Sequence, residues 1–181
     1  MADWQSSGKV KRLWMRDAEL WTDNDENDWL GWLGIVDEEI VQGHRFSDLT
    51  EEIRSAGFTH ALVLGMGGSS LCPEVMALTF GKQDGYPEMH VLDSTDPAQV
   101  KSFEKKIDLA KTVFVVSSKS GTTLEPNIFK DYFLDRAQQA VGSEAAQRFI
   151  AITDPGSKLQ TDAERDEIGR ASCRERVYVL V

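Results

Sequence analysis

Two short polar loops contain the residue types that could bind an anion. The first, residues 65–70, is Gly-Met-Gly-Gly-Ser-Ser, and the second, residues 117–123, is Ser-Ser-Lys-Ser-Gly-Thr-Thr. Each loop follows an apolar, strand-like run and leads into a segment with a helical pattern. Backbone N–H groups and hydroxyls at helix N-termini form sites for phosphate. The sequence therefore predicts that both loops close on the phosphate of one small molecule.

The first loop favours close approach of the backbone to a ligand. Gly65, Gly67 and Gly68 tolerate positive φ angles, so the chain can turn tightly there. Ser69 follows at the predicted start of a helix, where its hydroxyl and amide can both donate to phosphate oxygens. The spacing matches neither the dinucleotide pattern Gly-x-Gly-x-x-Gly nor the nucleotide phosphate loop. A tight turn that binds nothing is the alternative interpretation.

The second loop is the stronger signal. Five hydroxyl side chains lie within seven residues, around a lysine and a glycine: Ser117, Ser118, Ser120, Thr122 and Thr123. Hydroxyl and amide donors at a helix N-terminus suit a dianionic phosphate monoester, and Lys119 would add a positive charge. The alternatives are a helix cap made by Thr122 or Thr123 with Glu125, and a Lys119 that is merely solvated. A cap needs one hydroxyl, so five favour a ligand.

Alternating apolar runs and helical segments predict the sheet that positions these loops. The predicted strands are residues 60–64, 89–93, 112–116 and 148–153. The predicted helices are 71–80, a helix opened by Asp96 and Pro97, and 122–140, with Pro73 and Pro126 in opening turns. This alternation specifies an α/β fold with a doubly wound parallel sheet. In such sheets ligands bind beyond the carboxyl ends of the strands, where strand order reverses.

A helical segment rich in tryptophan and acidic residues precedes this sheet. A helix is predicted over 37–56, with Gly43 as its weak point. The tryptophans are expected to be packing anchors, and a stacking platform for a sugar is the alternative: Trp4, Trp14, Trp21, Trp29 and Trp32. The predicted organisation is a helical segment over 1–58, an incomplete α/β domain over 59–166 and a distinct tail over 167–181.

Composition excludes several classes of partner. The net charge of −10 disfavours binding to nucleic acid, and no apolar run is long enough to predict a membrane span. Cys72 and Cys173 form neither a metal motif nor a disulfide framework. No metal and no cofactor are expected, and a reducing cytoplasm is the predicted location.

The two loops resemble the sugar isomerase domain of glucose-6-phosphate isomerases. The matching stretches are 64–71, Leu-Gly-Met-Gly-Gly-Ser-Ser-Leu, and 117–125, Ser-Ser-Lys-Ser-Gly-Thr-Thr-Leu-Glu. Residues 13–22 and 29–33 resemble the isomerase portion of bacterial enzymes in which a transaldolase is fused upstream. The resemblance ends near Asp166 and implies a flavodoxin-like sheet. It also implies a homodimer for the full-length protein.

The implied reaction is the metal-free interconversion of glucose 6-phosphate and fructose 6-phosphate, in glycolysis and gluconeogenesis. By this likeness the residues that bind the substrate phosphate are Gly68, Ser69, Ser118, Lys119, Ser120, Thr122 and Thr123. Glu125 matches a family glutamate near the histidine that opens the sugar ring, and it is implied to orient that histidine.

The chemistry also requires groups that these loops do not supply. A proton must move between C2 and C1 through a cis-enediol, which needs a base and donors to the developing oxyanion. In the family the glutamate base, the ring-opening histidine, a lysine and an arginine come from later segments, and their motifs are not found in this sequence. His44, His60 and His90 match none of them, and His90, in an apolar strand, is expected to be packed. The chain alone is therefore predicted to bind without turnover.

The last residues depart from the family pattern. Residues 167–177 resemble the conceptual translation of a sequencing-library adapter, which implies a truncated gene and a non-native Cys173. A genuine divergent helix and strand is the alternative. Two other functional hypotheses stay open: a non-catalytic regulatory module that binds sugar phosphates with the same fold, and an α/β domain whose hydroxyl-rich loops only cap helices.

Overall fold

A parallel sheet is the centre of the computed structural model, which describes residues 2–22, 24–41, 43–169 and 177–178. Its strands are β1 (His60–Gly65), β2 (Glu88–Leu92), β3 (Thr112–Ser117), β4 (Phe149–Ile152) and the short β5 (Val177–Tyr178). Every pairing is parallel, in the order β2-β1-β3-β4-β5. The prediction of an α/β parallel sheet is confirmed, and strand order reverses between β1 and β3.

Helices connect the strands. They are α5 (Gly68–Phe80), α6 (Pro97–Lys106), α7 (Leu124–Val141) and α8 (Lys158–Arg165), with 3₁₀ turns at Leu109–Lys111 and Gly142–Arg148. The prediction that Pro73 lies in the first turn of its helix is wrong. Because α5 begins at Gly68, Pro73 is in the second turn, and it cannot donate an intrahelical hydrogen bond to the Ser69 carbonyl.

Residues before the sheet form short elements. They are α1 (Ala2–Ser6), α2 (Lys9–Trp14), α3 (Ile35–Val41) and α4 (His44–Ser55), with 3₁₀ turns at Ala18–Leu20, Glu26–Trp29 and Gly31–Leu33. The single helix predicted over 37–56 is two helices, interrupted near Gly43. The contacts divide the chain into two compact units, one up to Leu49 and one from Thr50, so the division falls inside α4.

The tryptophans of the first unit are not packing anchors. The side chains of Trp4, Trp14, Trp21 and Trp32 are 40–64% exposed within the described structure. Helices of five to seven residues offer only a narrow apolar face, so they cannot enclose side chains of this size. The expectation of buried tryptophans is wrong for these four.

The core of the second unit lies between the sheet and α7. Phe114 of β3 is fully buried, stacks on Phe149 with ring centroids 4.6 Å apart, and contacts Phe133 of α7 at 5.4 Å. Leu62 and Leu64 of β1 are also fully buried. The buried apolar strands fix the carboxyl ends of β1 and β3 beside each other.

A buried lysine joins α7 to the end of α8. Lys130 is 1% exposed, and its ammonium group pairs with Asp166 and with Asp131, the latter at 2.8 Å. Asp166 also pairs with Arg165 at 2.9 Å. Burial alone would lower the pKa of Lys130, but the two carboxylates outweigh it and raise that pKa.

A second polar contact joins α6 to α7 and makes stability depend on pH. The Tyr132 hydroxyl donates to Glu104 at 2.9 Å, and Arg136 pairs with the same carboxylate. Burial alone would raise the pKa of Glu104, but these partners lower it below 4.5. The contact therefore stabilises the fold above about pH 4.5, and this contribution is lost as the pH falls through the lowered pKa.

We expect the free energy of unfolding to decrease less between neutral and acidic pH in Glu104→Gln than in the unsubstituted chain. Urea unfolding at several pH values measures this. Glu51→Gln is the control, because Glu51 pairs with Arg54 while its side chain is 68% exposed. Equal acid sensitivity of the unsubstituted chain and Glu104→Gln would contradict the assignment.

Within the described residues, no helix combines the length and the apolar character that crossing a membrane requires.

Candidate functional site

The two polar loops line one cavity at the point where strand order reverses. One loop follows β1 and the other follows β3, and these strands are neighbours in the sheet. The cavity has a volume of about 470 Å³ and is lined by Met66, Gly68, Ser69, Ser117, Ser118, Lys119, Ser120, Thr123 and Pro126. Ligands in sheets of this order bind at this position. The loops lie where their sequence predicts, and six of the seven candidate phosphate-binding residues line the cavity.

The loop after β1 has the tight geometry expected of its glycines. A Cβ on Gly65 would lie 3.1 Å from the Ser69 Cβ, so a side chain there would press on the start of α5. Gly67 has a φ of 57°, which favours glycine. The Ser70 hydroxyl donates to the Gly67 carbonyl at 3.0 Å. The loop therefore directs the N-terminus of α5, with Gly68 and Ser69, at the cavity.

The loop after β3 contains a buried hydroxyl that no described group satisfies. Ser118 is 3% exposed and lines the cavity, and its Oγ has no hydrogen-bond partner in the described structure. A buried hydroxyl without a partner is destabilising by roughly 1–3 kcal/mol. Such an atom facing a cavity is a donor that is ready for a ligand.

The remaining hydroxyls of this loop differ in their roles. Ser120 Oγ and Thr122 Oγ1 are 2.9 Å apart, and the Thr122 amide donates to Ser120 Oγ at 3.3 Å. Thr122 is not among the cavity-lining residues, whereas Thr123 is. Thr123 precedes α7 without a side-chain capping hydrogen bond, and Glu125 is the second helical residue rather than the third. This geometry differs from a capping box, so capping alone does not account for the loop.

The loop between β4 and α8 holds the second polar loop in place. The Ser118 amide donates to the Ile152 carbonyl at 3.0 Å. The Lys119 carbonyl accepts from the Asp154 amide and from the Thr153 hydroxyl, both at 3.1 Å. Sequence reasoning did not select Thr153 or Asp154 for this role, because only the fold brings the end of β4 beside the end of β3.

Asn127 fixes the same loop from within α7. Its Nδ2 donates to the Gly121 carbonyl at 3.0 Å and to the Thr123 carbonyl at 2.7 Å. Sequence reasoning missed this residue as well. The available signal was an amide side chain in the first turn of a helix that follows a loop with many carbonyls to satisfy.

Gly121 is the closest contact between this loop and α8. It is buried, its φ is 68°, and a Cβ there would lie 2.9 Å from the Leu159 Cβ and closer still to the Leu159 amide nitrogen. Any larger residue would push the loop away from α8.

The electrostatics of the cavity favour an anion although the chain is acidic. Among its lining residues in the described structure, Lys119 is the charged side chain and no carboxylate is present. The N-termini of α5 and α7 add the positive ends of two helix dipoles. The local field is thus opposite in sign to the net charge of −10.

Comparisons with known proteins agree with this geometry. Residues 38–164 match the family model described as phosphoglucose isomerase. A glucose-6-phosphate isomerase of Chlamydia muridarum (strain MoPn / Nigg) is 34% identical over 151 residues, which cover 82% of this chain and 26% of that protein. One from Prochlorococcus marinus (strain MIT 9211) is 32% identical over 179 residues, covering 92% and 31%. The chain spans about a third or less of the length of these curated relatives.

Solved structures agree on the fold. The crystal structure of a glucose-6-phosphate isomerase from Chlamydia trachomatis D/UW-3/Cx superposes with a TM-score of 0.63 and 29% identity, over 93% of this chain and 29% of that one. A hypothetical protein from Thermus thermophilus superposes with a TM-score of 0.70 and 22% identity, over 99% and 40%. Since the family model covers well over half of the sequence, the chain belongs to the phosphoglucose isomerase family.

Proposed function

We propose that this chain binds the phosphate of glucose 6-phosphate and fructose 6-phosphate in their reversible aldose–ketose isomerisation. Its relatives bear the name of that enzyme. The observation that carries the proposal is the buried, unpartnered Ser118 hydroxyl in a cavity lined by both polar loops. A phosphate oxygen is the acceptor that this hydroxyl otherwise lacks.

The proposed contacts use two kinds of donor. Hydroxyls of Ser69, Ser118, Ser120 and Thr123 surround the phosphate, and Lys119 supplies charge. Gly68 contributes backbone at the start of α5. Hydrogen bonds to a charged acceptor are about twice as strong as those between neutral groups, so a few such donors suffice. In this arrangement Thr122 acts indirectly, by holding Ser120.

We assign the proton transfer to groups outside this sequence. The base that moves the proton between C2 and C1 and the histidine that opens the ring belong to segments that the family has and these loops do not provide. Glu125 is half-buried at the start of α7, and we propose that it orients that histidine. The homodimer of the full-length protein and an upstream transaldolase stay predictions from the resemblance.

We expect Ser118→Ala to weaken binding of glucose 6-phosphate by at least about tenfold, because one hydrogen bond to a charged group stabilises by roughly 1.5–3 kcal/mol. Isothermal titration of the 181-residue chain measures the dissociation constant. Ser102→Ala, an exposed serine in α6, is the control and should bind like the unsubstituted chain.

Two further titrations test the ligand and the chemistry. Glucose without phosphate should not bind, and a coupled assay should detect no isomerisation by this chain. Binding that is equally strong in Ser118→Ala and the unsubstituted chain would refute the assigned site. Turnover by the chain would refute the location of the base.

A further inference from the structure

Three potential metal ligands meet at the edge of the sheet opposite the phosphate cavity. His60 is the first residue of β1, Glu88 is the first residue of β2, and His90 is two residues further along β2. His60 pairs in register with Glu88, and Leu62 pairs with His90. Because side chains alternate along a strand, all three lie on the same face of the sheet. Their distance along the sequence hid this arrangement from motif analysis.

The distances between these side chains suit a single ion. His60 Nδ1 and His90 Nε2 are 3.2 Å apart, and one ligand atom from each of the three residues lies within 4.8 Å of the others. Two nitrogens bound to one tetrahedral Zn²⁺ at about 2.0–2.1 Å lie roughly 3.3–3.4 Å apart. The two imidazoles therefore already have the required spacing, and only the half-buried Glu88 has to adjust.

The histidine at the centre of the cluster is held rigidly. His90 is 5% exposed, and its ring centroid lies 6.1 Å from that of Phe103 in α6. Both histidines belong to paired strands rather than to a loop, so their separation is set by the sheet. A preorganised pair of imidazoles loses little freedom when it binds an ion.

A lysine shows that the cluster attracts positive charge. Lys106 Nζ lies 3.3 Å from His90 Nδ1 and 3.5 Å from Glu88 Oε1. Its side chain is 54% exposed at the end of α6, so it can move into solvent. Lys106 thus competes with any metal ion for this position.

We propose that His60 Nδ1, His90 Nε2 and a Glu88 carboxylate oxygen bind a divalent transition-metal ion, with Zn²⁺ as the best match to two imidazoles and one carboxylate. Water completes the coordination. The ion connects β2, an edge strand of the described sheet, to β1, and its role is to stabilise the sheet. This site is separate from the phosphate cavity and takes no part in the proposed isomerisation.

The test is calorimetric titration of the chain with ZnCl₂, in a background with Cys72→Ser and Cys173→Ser so that thiolates do not contribute. We expect one ion per chain and a higher melting temperature with Zn²⁺. Glu88→Gln should weaken binding by about tenfold or more, since it removes a charged ligand. His60→Gln together with His90→Gln should abolish specific binding.

Two variants separate this site from adventitious binding. His44→Gln removes the third histidine, which is exposed on α4, and should leave the affinity unchanged. Lys106→Gln removes the competitor and should tighten binding severalfold. Circular dichroism without metal verifies that each variant is folded. No saturable binding, full affinity in folded Glu88→Gln, or unchanged affinity in Lys106→Gln would overturn the proposal.

Discussion

Replacing Gly121 with alanine is expected to reduce the free energy of unfolding by roughly 3 kcal/mol or more and to weaken sugar-phosphate binding by roughly a hundredfold. The left-handed backbone contributes about 1 kcal/mol of the lost stability. The rest comes from overlap with Leu159, since extra atoms in a packed site typically destabilise by roughly 1–3 kcal/mol. Relief of that overlap would displace Ser118 and Ser120, and a misplacement near 1 Å can reduce function roughly a hundredfold.

Gly142→Ala is the matched control for this substitution. Gly142 has a φ of 65°, close to the 68° of Gly121, but a Cβ there would meet no atom within 4 Å. The control should lose about 1 kcal/mol of stability and keep its affinity. Urea unfolding and titration with glucose 6-phosphate measure both quantities. Equal losses in the two variants would show that backbone strain, rather than contact with α8, makes Gly121 necessary.

Lys130→Ala is expected to reduce the free energy of unfolding by about 3–5 kcal/mol, the usual range when one partner of a buried ion pair is removed. It leaves Asp166, which is largely buried, without its lysine, and it opens a cavity beside the core. Such a loss is a large part of the roughly 5–15 kcal/mol that is typical of a whole domain. Denaturant unfolding monitored by circular dichroism measures it.

Lys158→Ala is the comparison for a similar pair in solvent. Lys158 pairs with Asp162 one turn along α8, but its side chain is 59% exposed, so we expect a loss below about 1 kcal/mol. Lys130→Met, which keeps the apolar stem, should fall between the two. If Lys130→Ala and Lys158→Ala lost equal stability, the buried pair would not be a main support of the α7–α8 contact.

The parallel sheet could be predicted because its strands are continuous apolar runs. Leu62 and Phe114 are each fully buried, and strands buried on both faces have no polar alternation to confuse with a helix. Both polar loops were found for a related reason, since glycines and hydroxyls directly after such a strand have few structural uses. Local sequence thus determines the strands and the loops that extend them.

Features that depend on tertiary contact could not be predicted in this way. Asn127 and Thr153 support the second loop through carbonyls that only the folded chain brings near them. His60 and His90 meet through strand pairing, and no spacing in the sequence indicates it. The tryptophans failed for the opposite reason, because an apolar residue type predicts burial only where neighbouring elements are large enough to cover it.

The pairing of β1 with β3 has a consequence for the order of folding. Gly65 and Ser117 are partners in the sheet although about fifty residues separate them, so their contact is non-local and forms slowly compared with a helix. Neither loop alone encloses the cavity. A refolding chain therefore acquires affinity for a phosphate ester only after the β2 segment has folded out of the way and β3 has docked on β1, and the appearance of ligand binding marks that event in time.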